Sequence, residues 1–242
     1  MLACIGTGCA VSHQAVSNQC RTPNARGTVF AIGGAGGSDS TSLALRQEVL
    51  GTGLPLNVES VDWSHGYGRF LSDQMDWGHA RREGVRLAER VNACRQECPT
   101  GEVYLVGHSA GCAVALAAGD VLPAGSVRRI VLLAPSVSAD YDLRPALRSA
   151  RDGIDVFFSG RDVFYLGFGA AITGTPDRRW SSPAAGRTGF RQRAECSEDV
   201  ALYQKLHQHG WQPNVEWTGN HGGHYDGYKP AYLRSYVLPL FQ

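Results

Sequence analysis

The pentapeptide Gly107-His108-Ser109-Ala110-Gly111 sets one serine between two glycines, each two residues away. A serine hydroxyl is a poor nucleophile at neutral pH until a neighbouring base takes its proton, so the surroundings of this serine decide whether it does chemistry. It follows the apolar run Val103-Tyr104-Leu105-Val106 and opens the Ala-rich stretch Ala110 to Val121. Strand, sharp turn and helix form the setting in which G-x-S-x-G thrusts its hydroxyl into a cleft. The flanking glycines remove side chains that would strike neighbouring backbone, and the positive end of the following helix favours a developing oxyanion. The bare motif can arise by chance in a chain with 30 glycines. Both flanks, however, are legible without it, and Ser109 is the candidate nucleophile.

Such a serine needs an imidazole base, and the base needs a carboxylate that fixes its tautomer and steadies the imidazolium. Along the chain a nucleophile elbow is followed by the acid and then the histidine. The apolar run Ile154 to Phe158 ends in Ser159-Gly160-Arg161-Asp162, which puts Asp162 at the carboxyl end of a strand, and Asp162 is the candidate acid. Asp152 and Asp155 flank the other end of that strand, while Asp140 and Asp142 follow the strand before it. For the base, Gly219-Asn220-His221-Gly222-Gly223-His224-Tyr225 offers two histidines ahead of a terminal helix. His224, with Pro230 opening that helix six residues later, is the candidate base and His221 the alternative. No compact set of carboxylates or cysteines accompanies the two histidines, so no metal is expected.

The negative oxygen of a tetrahedral intermediate must also be met by backbone amides. Ala110 supplies one, and the glycine-rich loop Gly33-Gly34-Ala35-Gly36-Gly37 after the first strand supplies the other, at Ala35 with Gly34 as the alternative. These glycines do not space as G-x-G-x-x-G, so neither a dinucleotide nor any other cofactor is expected.

The elements that must position these groups alternate in type. Strands are predicted at Thr28 to Ile32, Asn57 to Trp63, Val103 to Val106, Arg129 to Ala134 and Ile154 to Phe158. Helices are predicted from about Ser38 to Leu50, from Trp77 to Cys98, from Ala110 to Val121 and from Leu143 to Arg151. Val85, Leu87, Ala88 and Val91 are read as the buried face of the second helix. Ser64 to Asp76 is read as a loop, and Asp162 to Arg193 as a functional loop or small flap. The tail reads as helix Ser197 to His209, strand Asn214 to Trp217 and helix Lys229 to Leu240. This order implies an α/β fold with a mainly parallel sheet of about six strands, helices on both faces, and chemistry on loops at the carboxyl ends of strands.

In bulk the 242 residues suit one domain, with 43% hydrophobic and 19% charged residues. A net charge of +1 gives no reason to expect a nucleic-acid partner. Seven cysteines (Cys4, Cys9, Cys20, Cys94, Cys98, Cys112 and Cys196) are too scattered for a disulfide scaffold, and their odd count leaves at least one unpaired within the chain and the redox compartment open. Cys94 and Cys98, four apart, are expected as free thiols, with a local disulfide or a metal half-site as the alternatives. Residues 1–27 read as a leader or surface segment before a domain spanning 28–242. The apolar start Met1 to Val11 resembles part of an export or lipoprotein signal with Cys4 or Cys9 as the lipidated residue, which leaves exported, lipid-anchored and cytoplasmic locations open. No stretch reaches the ~18 apolar residues of a transmembrane helix.

Over residues 28–242 the elbow, the ordered Asp and His and the strand pattern resemble the α/β-hydrolase family. The resemblance implies Ser109 as nucleophile, His224 as base, Asp162 as acid and Ala35 with Ala110 as the oxyanion site. It implies a serine hydrolase acting on a small-molecule ester or related acyl substrate. Thioester or peptide cleavage by the same machinery, and a non-catalytic ligand-binding protein on the same scaffold, are the alternatives. Two departures bear on this. A glycine pair stands where many lipases show His-Gly, and the strands begin at the third of the family's usual eight, which implies a reduced core without a large cap. The aromatic loop Trp63 to Phe70 is expected to pack in the core or line a pocket, and His65, His79 and His108 to be solvated or locally hydrogen-bonded.

Overall fold

A computed structural model describes residues 25–162 and 182–242. Nearly all of the proposed leader, with Cys4, Cys9 and Cys20, and most of the proposed flap between Asp162 and Arg193 lie outside the described residues.

Six strands form one parallel sheet in the order β2-β1-β3-β4-β5-β6. They are β1 (Gly27–Ile32), β2 (Leu56–Val61), β3 (Glu102–His108), β4 (Arg129–Leu133), β5 (Ile154–Phe158) and β6 (Leu206–Gly210). The inner strands carry apolar residues on both faces, as a sheet covered twice requires. Phe30, Ile32, Leu105, Ile130, Leu132 and Val156 pack into one core; Val29, Ala31, Tyr104, Val106, Val131, Leu133 and Phe157 pack into the other.

Helices α3 (Trp77–Glu97), α4 (Gly111–Val121) and α5 (Arg144–Ser149) cover the first face, and α1 (Ser40–Thr52) with the C-terminal helical segment covers the second. α4 is the central prop. Its residues from Gly111 to Gly119 are all buried, and α3 lies close against it because Gly84 has no side chain. A Cβ on Gly84 would come within 2.5 Å of the Ala117 Cβ. That contact also corrects the expected buried face of α3. Ala80, Gly84, Leu87, Ala88 and Val91 face inward at helical spacing, while Val85 points out with 44% exposure.

The tail differs more from expectation. The predicted helix Ser197 to His209 stops at Tyr203, and the chain then forms β6. β6 is an edge strand, so His207, Gln208 and His209 lie exposed and no apolar alternation marks it. The predicted strand Asn214 to Trp217 is a 3₁₀ helix, Pro213–Thr218, which buries Val215 and Thr218 three residues apart and leaves Trp217 exposed. The expected terminal helix is irregular: an α turn, Pro230–Tyr232, loosens into a π turn at Leu233–Val237 and then tightens into a 3₁₀ turn at Leu238–Phe241. The expected loop Ser64 to Asp76 contains a short helix, α2 (Phe70–Met75), whose Phe70, Leu71 and Met75 stay exposed and give no core-facing period. Among the described residues, Cys94, Cys98, Cys112 and Cys196 form no disulfide with one another. Among the described residues no helix is long and apolar enough to cross a membrane.

Candidate active site

Ser109 sits at the turn between β3 and α4 with φ +53°, one of two non-glycine residues at positive φ among those described. This left-handed backbone costs roughly 1–2 kcal/mol for a residue with a Cβ. Hydrogen bonds hold it there. The Ser109 N–H donates to the Leu133 carbonyl at 3.0 Å, and the Ser109 carbonyl accepts from Cys112 and Ser136. The flanking glycines are required by contact: a Cβ on Gly107 would come within 2.8 Å of the Cys112 Cα, and one on Gly111 would collide with the Gly33 carbonyl. The elbow is therefore wedged against the loop that follows β1.

Asp162 follows the β5 carboxyl end, 3% exposed, with its N–H donating to the Ser159 carbonyl at 3.1 Å. The histidine loop is built by its own side chains. Asn220 Oδ1 accepts from the Gly222 N–H, and Asp226 Oδ2 accepts from the N–H groups of His221 and Gly223. Gly222, at φ +88°, lets the loop lie on the β5 side, where a Cβ would come within 2.7 Å of Ser159 Oγ.

The structure brings three of the expected residues into one row. His224 Nδ1 lies 2.6 Å from Asp162 Oδ2, and His224 Nε2 lies 2.8 Å from Ser109 Oγ. His224 is buried, whereas His221 is exposed and is absent from the residues lining the adjacent cavity. Asp155, on the same strand as the Asp162 approach, instead pairs with Arg129 and His209. The loop after β1 borders the same cavity through Gly34 and Ala35, and neither the Ala35 nor the Ala110 N–H donates to another described backbone group outside regular elements.

The cavity holds about 470 Å³. Phe70, Leu71, Tyr225 and Tyr228 give it apolar walls, and Ser38, Ser40, Gln74 and Ser136 bring polar atoms. Of these side chains the sequence pattern assigns only Phe70, in the aromatic loop, to a possible pocket wall. Trp63 from that loop is core, at 3% exposure, with its indole N–H donating to the Gly33 carbonyl at 2.9 Å, while Tyr67 is 94% exposed.

His108 also lines the cavity and has a specific bond rather than the generic one expected. Its Nε2 lies 3.0 Å from the His224 carbonyl oxygen. A carbonyl only accepts, so Nε2 carries the hydrogen and Nδ1 is bare in the neutral ring. Burial, helped by the charge of nearby His224, pushes the His108 pKa down to about 3. No group of three or more metal-binding side chains occurs among the described residues.

Comparisons with known proteins agree with this geometry at the level of the fold. A search of curated protein sequences finds no match. Among solved structures, esterase PE8 superposes with a TM-score of 0.54 at 17% identity, covering 88% of this chain and 94% of its own. An esterase of Pyrococcus furiosus gives a TM-score of 0.52 at 12% identity, with 90% and 82% covered. A hydrolase of the alpha/beta superfamily from Xanthomonas campestris gives 0.50 at 17% identity, with 90% and 100% covered. At such identities the likeness speaks for the fold alone. The sequence model described as "Alpha/beta hydrolase family" matches residues 29–237, well over half of the chain. The chain therefore belongs to the alpha/beta hydrolase family, which sets hydrolysis as its reaction class.

Proposed function

We propose that this hydrolase cleaves carboxylic ester or related acyl bonds through an acyl-enzyme formed on Ser109. The observation that carries the reading is the unbroken row from Asp162 through His224 to Ser109, at 2.6 and 2.8 Å, ending at a cavity. Asp162 accepts the Nδ1–H of His224, which leaves Nε2 bare to take the serine proton. The serine oxygen then bonds the acyl carbon, and the carbonyl π pair moves onto its oxygen. The Ala110 and Ala35 N–H groups, with Gly34 as the alternative to Ala35, meet that charge. Collapse of the intermediate breaks the bond to the leaving alcohol, which departs with the proton from His224. Water, deprotonated by the same ring, repeats the sequence and frees the acid. The apolar walls of Phe70, Leu71, Tyr225 and Tyr228 suit the hydrocarbon part of a small-molecule substrate.

A fluorophosphonate probe should label the folded protein at Ser109. Ser109→Ala should abolish labelling and lower hydrolysis of short p-nitrophenyl esters by about 10⁶-fold, as removal of a serine nucleophile does. Folded wild-type protein that takes no label and turns over no ester overturns the reading. A panel including a thioester and an amide ranks the acyl classes.

A further inference from the structure

Asp73 is a carboxylate in the wrong place for a surface helix. It lies on α2, yet it is 1% exposed, and it accepts hydrogen bonds from the ends of two different β-strand loops. Oδ2 takes the Gly36 N–H at 2.7 Å and the Ser64 hydroxyl at 2.7 Å. Oδ1 takes the His65 N–H and His65 Nδ1, each at 2.8 Å. Burial alone would raise its pKa; the bonds from His65, Gly36 and Ser64 together outweigh this and hold the carboxyl below the usual range, so it is a full anion near neutral pH.

The Gly36 bond gives the cluster a consequence for the chemistry. Along the loop after β1, the Gly33–Gly34 peptide is fixed through its carbonyl by the Trp63 indole, at 2.9 Å. The Ala35–Gly36 peptide is fixed through its N–H by Asp73. The Gly36 carbonyl accepts from the Gly68 N–H at 3.0 Å, and the Phe70 ring closes over Gly36, whose φ of +86° and missing Cβ permit that approach. Between the two fixed peptides lies the Gly34–Ala35 peptide, the one that carries the Ala35 N–H. Holding both adjoining planes anchors the Gly34 and Ala35 Cα atoms, so the remaining motion of this peptide is rotation about the axis between them, which the Cβ of Ala35 restricts to the allowed φ/ψ wells.

We propose that Asp73 is a positioning residue for the oxyanion site, aiming the Ala35 N–H into the cavity by anchoring the Gly36 amide. The inference rests on the acyl-hydrolase reading above. Asp73 touches no reacting atom; it spares the loop from reorganising when charge appears on the substrate oxygen.

The test is Asp73→Asn, which keeps the shape but turns an NH₂ toward donors that now have one acceptor fewer. Active sites are counted by the extent of fluorophosphonate labelling, so that partly folded protein does not pass for slow enzyme. Per labelled site, kcat on p-nitrophenyl acetate should fall about 10- to 100-fold, somewhat less than outright loss of an oxyanion donor, with KM within about twofold. Affinity for a trifluoromethyl ketone, which forms a tetrahedral adduct, should fall by the same factor. A kcat per site within about twofold of wild type, or a change confined to KM, overturns the proposal. Should the Asn variant fail to fold, His65→Ala takes one bond from Oδ1 at the edge of the cluster. It should lower kcat about two- to fivefold at constant KM, and an unchanged kcat there overturns the proposal equally. Wild-type protein that neither labels nor turns over ester sinks the acyl-hydrolase reading and this inference together, whereas active wild type with unaffected variants sinks this inference alone.

Discussion

Two buried carboxylates reached through β5 each bond a histidine, at almost the same distance, and the surroundings give them different work. Asp162 meets His224 Nδ1 at 2.6 Å, and Asp155 meets His209 Nε2 at 2.7 Å. Around Asp155 the other oxygen is taken by Arg129 at 2.5 Å, and the His209 ring stacks on Phe157 with its edge open to solvent. That pair is an ion cluster, in which Asp155 is held below the usual carboxylate range by His209 and Arg129 against the opposing effect of burial. Around Asp162 the histidine is itself buried and its second nitrogen meets a serine at a cavity wall. An Asp–His contact is thus no sign of catalysis by itself. What separates the two is where the far nitrogen points and whether a cation already neutralises the carboxylate.

The comparison breaks most visibly if both carboxylates are removed in turn. Asp162→Asn should lower kcat on p-nitrophenyl esters by about 10⁴-fold, because the amide favours the wrong His224 tautomer while leaving the geometry in place. Steady-state kinetics on labelled-site-normalised protein check this; a loss under tenfold would mean that Asp162 is only structural. Asp155→Asn should leave kcat/KM within about twofold and instead lower stability by about 2–3 kcal/mol, since Arg129 keeps a largely buried charge without its anion. A urea midpoint reads the second effect. A fall in kcat with unchanged stability would put Asp155 in the reaction and undo the distinction drawn above.

The two regions also differ in how well the sequence announces them. Ser109 was legible because β3 and α4 are apolar enough to be recognised without the motif, and Asp162 because β5 stays apolar up to its carboxyl end. His224 is less plainly marked. The strand expected just ahead of its loop, Asn214 to Trp217, is a 3₁₀ turn, and the last strand is the polar edge strand Leu206–Gly210. Pro230, opening a helical turn six residues after His224, is the signal that distinguishes it from His221. Local pattern could not reveal Asp73 or the cavity walls, because what defines them is contact across the chain: Asp73 meets Gly36 from 37 positions away, and α2 shows no buried period.

A third histidine sharpens the contrast with the smallest effect. His108 neither accepts a proton from the serine nor pairs with a carboxylate; it donates Nε2–H to the carbonyl of His224, with ring centroids 5.0 Å apart. Were it charged, it would oppose the imidazolium that the proposed reaction forms on His224, and burial prevents this by holding its pKa down to about 3. The folded pKa lies below the ordinary value of 6.5, so the unfolded chain binds a proton here that the folded chain refuses. Stability from this group is therefore complete above about pH 6.5 and declines as pH falls toward 3, by up to about 1.4 kcal/mol per pH unit. His108→Gln keeps a donor for the His224 carbonyl and removes the titration. Its urea stability should depend less on pH than that of wild type between pH 6.5 and 4, by about 2 kcal/mol at pH 5. Its kcat at pH 8 should stay within about tenfold, since the serine, the base and the acid are untouched. Parallel stability curves for the two proteins across that range would show that His108 takes up its proton in the folded state, and that a charge beside His224 is tolerated after all.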